Sequence, residues 1–183
     1  METPELRFQP VYADSRGVFA ATSLWNVNDR QLDKRWIQVN TSVSDHKYTF
    51  RGMHLQLEPF AQTKYLNVIK GKILDFVVNC NEYHKDYGKL YVFEVDTDHA
   101  VYIPKGYAHG LLTLEDDTIV QYFTDNVYSP EKERSVLWSS VPGLEDKIKE
   151  YVPYFTPSYL TISEKDENGI HFSEVKLFEA VAE

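Results

Sequence analysis

From Phe19 to about Phe123, short runs rich in β-branched and aromatic residues alternate with turn signals at close spacing. The runs predict strands over 17–24, 35–42, 49–56, 65–70, 73–79, 90–95, 99–103, 110–114 and 118–123. Turn-forming stretches separate them, among them Asp14-Ser15-Arg16-Gly17, Lys70-Gly71-Lys72, Asp86-Tyr87-Gly88, Asp96-Thr97-Asp98 and Glu115-Asp116-Asp117. This spacing predicts a mainly β chain, folded as an antiparallel sandwich, jelly roll or barrel rather than as alternating βα units. A short helical turn is predicted over 27–32 and a longer helix over 142–151. The tail after Pro153 and Pro157 reads as irregular, with a polar turn over 164–169. With no repeat, low-complexity block or domain-scale linker, residues 1–183 read as one domain with an irregular, partly helical C-terminal extension from about 142.

Composition narrows the functional classes. The chain is 43% hydrophobic, as in a globular protein, and carries a formal net charge of -9. That balance argues against duplex nucleic acid and against a polybasic membrane surface, leaving room for a local basic pocket that takes a small anion. The single cysteine, Cys80, excludes an intrachain disulfide and a cysteine-rich zinc site. The opening Met-Glu-Thr-Pro-Glu lacks a basic stretch followed by an apolar core, and the apolar runs are far too short for a membrane span. The expectation is a cytoplasmic protein. The 13 Tyr, 10 Phe and 3 Trp fit strand packing and subunit contacts before they suggest a binding site.

Candidate chemistry sits in two stretches. Tyr102-Ile103-Pro104-Lys105-Gly106-Tyr107-Ala108-His109-Gly110 has the Pro-x-Gly-x-x-His spacing of the second cupin motif. Proline fixes φ and glycine permits a sharp turn, so the chain can reverse and aim His109 into a barrel. A metal-binding cupin also needs a His-x-His pair followed by Glu. This chain has His54-Leu55-Gln56 and then Lys64, a set that opposes a divalent cation. The other reading is acid–base chemistry with no metal and no cofactor. Strand alternation in Arg51-Gly52-Met53-His54-Leu55-Gln56 puts Gly52, His54 and Gln56 on one face. It assigns Arg51 to the other face unless a bulge intervenes.

Read together, these stretches strongly resemble the dTDP-4-dehydrorhamnose 3,5-epimerase family, from about Asp14 to Asp166. The resemblance also runs through Gln38-Val39-Asn40-Thr41-Ser42, Ala61-Gln62-Thr63-Lys64, Tyr122-Phe123-Thr124, Tyr128-Ser129-Pro130, Glu133-Arg134 and Ser163-Glu164-Lys165-Asp166. It implies a cupin-type jelly roll and inversion of a nucleotide-linked 4-keto-6-deoxy sugar at C3, C5 or both. It further implies His54 as general base, Asp166 as the carboxylate that orients it, Lys64 beside the keto oxygen, and Tyr122 as the acid on the opposite sugar face. Arg16, Gln38, Asn40 and Arg51 match positions around the nucleotide and diphosphate, Phe19 and Tyr128 are ring contacts for the base, and Gln56 and His109 line the pocket. A homodimer is implied as well. Ala21, Asn79 and Asn81 depart from the family's pattern. The alternatives are a single-centre epimerase, a keto-sugar isomerase, disfavoured because Gln56 stands where a second His is expected, and a non-catalytic cupin that binds a sugar nucleotide.

Overall fold

A computed structural model describes residues 2–8, 11–14, 17–20 and 36–177. Arg16, Ala21, the helical turn over 27–32 and the second half of the strand over 17–24 lie outside the described residues. The described strands are β1 (Glu5–Phe8), β2 (Val11–Asp14), β3 (Gly17–Ala20), β4 (Gln38–Ser44), β5 (Phe50–Gln56), β6 (Lys64–Lys70), β7 (Ile73–Asn79), β8 (Leu90–Val95), β9 (His99–Ile103), β10 (Tyr107–Thr113), β11 (Thr118–Thr124) and β12 (Glu133–Ser135). Two helices follow, α1 (Leu144–Tyr151) and α2 (Glu164–Glu167).

The strands form two five-stranded antiparallel sheets, ordered β1-β9-β6-β11-β4 and β12-β5-β10-β7-β8, with β2 and β3 as a separate hairpin. This is an antiparallel two-sheet architecture of the kind that the strand spacing predicts, and it agrees with the jelly roll that the resemblance implies. Period-two alternation turns Leu66, Val68, Val101, Ile103 and Val120 of the first sheet toward Ile73, Val77, Tyr107 and Leu111 of the second. Together they make the apolar interior between the sheets.

The outer face of the second sheet is apolar too, and the C-terminal segment covers it. Phe50, Met53, Leu55, Leu74, Phe76 and Leu112 pack there against Trp138, Leu144, Ile148, Val152, Leu160 and Phe172. Leu144 and Ile148 are fully buried, each stabilising this layer by about 1.5–3 kcal/mol. Residues 138–177 are therefore anchored at several points to the back of β5, β7 and β10.

Several boundaries differ from expectation, each for a local reason. The strand expected over 110–114 begins at Tyr107, directly after the Pro104-Lys105-Gly106 turn, where Gly106 takes φ +86°. His109 therefore stands inside the sheet, not at the end of a hairpin. The polar turn expected over 164–169 is α2, capped by Ser163, whose Oγ accepts the Asp166 N–H at 3.2 Å. A Ser-x-x-Asp spacing is a cap signal, and here it starts a helix of a single turn. The short strands β1, β2 and β12 carry no signal in the predicted runs, which begin at residue 17.

One irregularity bears directly on the site. Between the pairs His54–His109 and Arg51–Leu111, β5 has one residue more than β10, a β-bulge centred on Gly52 at φ +119°. A Cβ on Gly52 would lie 2.5 Å from the Gly110 Cα, so both backbones approach closer than any side chain permits. The bulge breaks the strict alternation, and Arg51 joins His54 on the cavity side.

Candidate active site

The inward positions nearest Gly52 are polar, and they surround a cavity of about 470 Å³, beside which lies a second lobe of about 380 Å³. His54, Lys64 and Tyr122 line both lobes. Arg51, His109, Lys165 and Asp166 belong to the first lobe, and Gln38, Asn40, Gln56, Tyr128 and Glu133 to the second. His54 and His109 project from neighbouring strands of one sheet, as directly opposed residues. Lys64 and Tyr122 project from β6 and β11 of the other. The cavity therefore has a histidine wall and a lysine–tyrosine wall.

His54 Nε2 donates to Asp166 Oδ1 at 2.6 Å. A carboxylate only accepts, so this bond leaves Nδ1 with the lone pair. The Gly52 N–H donates to Asp166 Oδ2 at 3.2 Å, and the Ser135 hydroxyl lies 3.4 Å from Oδ1. Burial pushes Asp166 upward, but the hydrogen bond and charge of His54, with the donors at Gly52 and Ser163, outweigh it and hold the carboxyl below its ordinary value.

Lys64 starts β6 and reaches the His54 carbonyl oxygen at 3.5 Å. Loss of hydration lowers it to about 8, against the opposing pull of Glu133 and Asp75. Burial, and then the charge of Glu133, raises Tyr122 above its ordinary value, so it stays protonated through the neutral range; Arg51 pulls weakly the other way.

The other expected residues divide in their surroundings. Arg51 donates through Nε to Ser44 Oγ at 3.0 Å and through its terminal nitrogen to the Val43 carbonyl at 2.8 Å. Gln38 donates to Asn40 Oδ1 at 2.8 Å and accepts the Tyr128 N–H at 2.9 Å, which links β4 to the 127–129 segment. The Gln56 amide ties that same segment to the loop after β5: it donates to the Phe60 and Val127 carbonyls and accepts from the Ser129 N–H. Its contribution visible here is to brace the wall. Phe19 falls in β3, described by backbone alone. Asn79 and Asn81 do not line the cavity that holds His54. The Asn79 Oδ1 accepts the Asn81 N–H at 2.8 Å and braces the loop after β7.

Sequence reasoning missed three charged groups here. Glu133 accepts from the Tyr128 hydroxyl at 2.7 Å and pairs with Lys165 on α2. Asp75, fully buried, accepts from His109 Nε2 at 2.6 Å. An acid inside the apolar run Ile73-Leu74-Asp75-Phe76-Val77-Val78 was the available signal, because such a residue faces either a partner or a site. Among the described residues, no three His, Cys, Asp or Glu side chains gather into a group that could hold a metal ion. No helix among them is long and apolar enough to cross a membrane.

Comparisons with known proteins converge on one family. The family model for dTDP-4-dehydrorhamnose 3,5-epimerase matches residues 6–174. A dTDP-4-dehydrorhamnose 3,5-epimerase from Shigella flexneri is 32% identical over 183 residues, covering 97% of this chain and 96% of its own. The crystal structure of the Sulfolobus tokodaii enzyme of the same name superposes with a TM-score of 0.78 at 31% identity, covering 96% of this chain and 94% of that one. A 3′-monoepimerase from Streptomyces bikiniensis, in complex with dTDP-quinovose, gives 0.78 at 25% identity, covering 93% and 84%.

Proposed function

The chain belongs to the dTDP-4-dehydrorhamnose 3,5-epimerase family, and from that membership we infer that it is an isomerase that epimerises a dTDP-linked 4-keto-6-deoxy sugar at C3 and C5. The observation that carries the reading is the His54–Asp166 pair at 2.6 Å, facing Lys64 and Tyr122 across one cavity.

The chemistry follows from that arrangement. A C–H beside a ketone is acidic because its electron pair can move onto oxygen as an enolate. The free Nδ1 lone pair of His54 takes the proton, and Asp166 stabilises the resulting imidazolium. The Lys64 ammonium supports the charge developing on the keto oxygen, an electrostatic contribution typically worth about 10²–10³ in rate per donor. Tyr122, on the opposite wall, returns a proton to the other face of the carbon and so inverts it. C3 and C5 both flank the carbonyl at C4, and one set of groups serves both. Arg51 and Arg16 are assigned to the diphosphate, Gln38 and Asn40 to the nucleotide, Tyr128 and Phe19 to the base, and His109 to the sugar end. Gln56 holds the segment that carries Tyr128.

Two further assignments accompany this one. The enzyme works in the cytoplasm, a reading supported by its single cysteine, the buried and unbridged Cys80. It works as a homodimer, supported by the exposed Val39 and Val43 on the outward side of β4, apolar surface that a second copy would cover.

The test is solvent exchange. In deuterated water with dTDP-4-keto-6-deoxyglucose, the protein should place deuterium at both C3 and C5, read by NMR of the product. Label at C3 alone would instead favour the 3′-monoepimerase activity of the Streptomyces relative. Label at neither carbon would overturn the reading.

A further inference from the structure

Asp75 is an anomaly in this site. It is fully buried on β7, and one oxygen accepts from His109 while the other, Oδ2, has no hydrogen-bond partner among the described residues. Buried carboxylate oxygens are nearly always satisfied, so one left open marks a group held for something other than packing. Its partner His109 lines the same wall of the cavity as His54, its cross-strand neighbour. The site therefore contains two His–Asp pairs of the same 2.6 Å length, one at each position of a single cross-strand pair.

We propose that Asp75 is a positioning residue for the epimerisation: it fixes the His109 ring through Nε2, so that Nδ1 addresses the sugar, and it supplies the buried counter-charge to Lys64 where the enolate oxygen forms. This rests on the proposed function above. Three carboxylates act on Lys64 or face the same cavity: Asp75 from β7, Glu133 from β12 and Asp166 from α2. Asp166 is taken up by His54, and Glu133 is shared with Lys165 and Tyr128. Of the three, Asp75 alone keeps a buried oxygen without a partner among the described residues. The cations Arg51 and Lys165, and the ionisable His54, His109 and Tyr122, face the same space. With hydration removed, Lys64 falls to about 8, and the charge of Asp75 is one of the two that oppose the fall.

The experiment compares wild type with Asp75→Asn and His109→Gln, measuring kcat and KM across pH 6–10 by deuterium exchange. In Asp75→Asn the alkaline limb of kcat should move to lower pH by about one pH unit, with kcat at pH 7 down about tenfold and KM changed far less. A merely structural role lowers the amount of folded enzyme and leaves the pH limb in place. His109→Gln keeps the carboxylate, so its kcat should fall while the limb stays near the wild-type position. An unmoved limb in folded Asp75→Asn overturns the charge role, and an unchanged kcat in His109→Gln overturns the ring role. Should Asp75→Asn not fold, Asp75→Ser, which leaves room for water, reads out the same limb. Wild type without exchange would sink the epimerase reading itself. Wild type with exchange but indifferent variants would sink this inference alone.

Discussion

Replacing Asp166 with Asn keeps the shape of the side chain and removes its ability to accept on both sides. In the native site Oδ1 takes the His54 Nε2–H and Oδ2 takes the Gly52 N–H. An amide has one accepting and one donating end. With its oxygen toward Gly52, its NH2 faces His54 and forces the tautomer whose Nδ1 carries the proton, leaving no lone pair toward the sugar. With its oxygen toward His54, donor meets donor at Gly52. In both orientations the negative charge that stabilises the imidazolium is gone. A hydrogen bond to a charged group contributes about 1.5–3 kcal/mol, and disrupting a buried pair costs about 3–5 kcal/mol. Taking a barrier increase of about 3 kcal/mol, at 1.36 kcal/mol per decade, kcat should fall roughly 150-fold. The group acts on the transition state, so KM should change by less than about threefold. The assay is deuterium uptake at C3 and C5 under saturating substrate, with thermal melting to establish that the variant is folded. A folded Asp166→Asn that keeps more than a tenth of wild-type kcat would refute the reasoning.

Three further outcomes follow from the same geometry. Lys64→Met should lose about 10²–10³ in kcat yet melt higher than wild type at pH 7, measured by calorimetry. The folded value of Lys64, about 8, lies below its ordinary 10.5, so its charged form opposes folding at pH below about 8 by up to about 3 kcal/mol. That cost fades as pH rises from 8 to 10.5, and the stability gap between variant and wild type should close over that window. Tyr122→Phe should retain deuterium exchange but lose most inversion, since His54 can still return its own proton to the face it came from; full inversion would remove Tyr122 from the role. Gly52→Ala should cost about 3 kcal/mol or more, seen as lost soluble yield or a collapsed denaturation midpoint, because the new methyl meets the Gly110 backbone at 2.5 Å and the φ of +119° disfavours any side chain.

How much of this was legible in the chain depends on whether a signal is local. Strand runs and turns are local, and the two sheets follow them closely. The Pro104-Lys105-Gly106 turn is local, and it delivers His109 to the cavity as its spacing implies. The Ser163-x-x-Asp166 cap is equally local, although the polar residues of 164–169 by themselves predict only a turn. Its consequence is long-range: a hydrogen bond spanning 112 residues in sequence. That bond exists because Trp138, Leu144, Ile148 and Phe172 bind the C-terminal segment to the back of the sheet that carries His54. Only the resemblance connected Asp166 with His54. The bulge at Gly52 was left open for a physical reason as well. Alternation in a six-residue run cannot show an extra residue, since the bulge is defined by the partner strand.

β4 shows the same limit in its sharpest form. The run Ile37-Gln38-Val39-Asn40-Thr41-Ser42-Val43-Ser44 alternates cleanly, and alternation normally sends the apolar set inward. Here the polar set faces in: Gln38 and Asn40 line one lobe, Ser42 the other, and Ser44 bonds Arg51. Ile37, Val39 and Val43 are left exposed. Periodicity fixes that the strand has two unlike faces, but not which of them meets the interior. Two needs decide it. A cavity built for a nucleotide sugar requires hydrogen-bonding walls, which places the amides and hydroxyls inside. The outward apolar row is then tolerable at an edge strand only if something covers it, since an uncovered edge of that kind invites indiscriminate pairing. On the proposed homodimer the inversion is consistent at both levels: the strand gives its polar face to the substrate and its apolar face to a second copy of the chain.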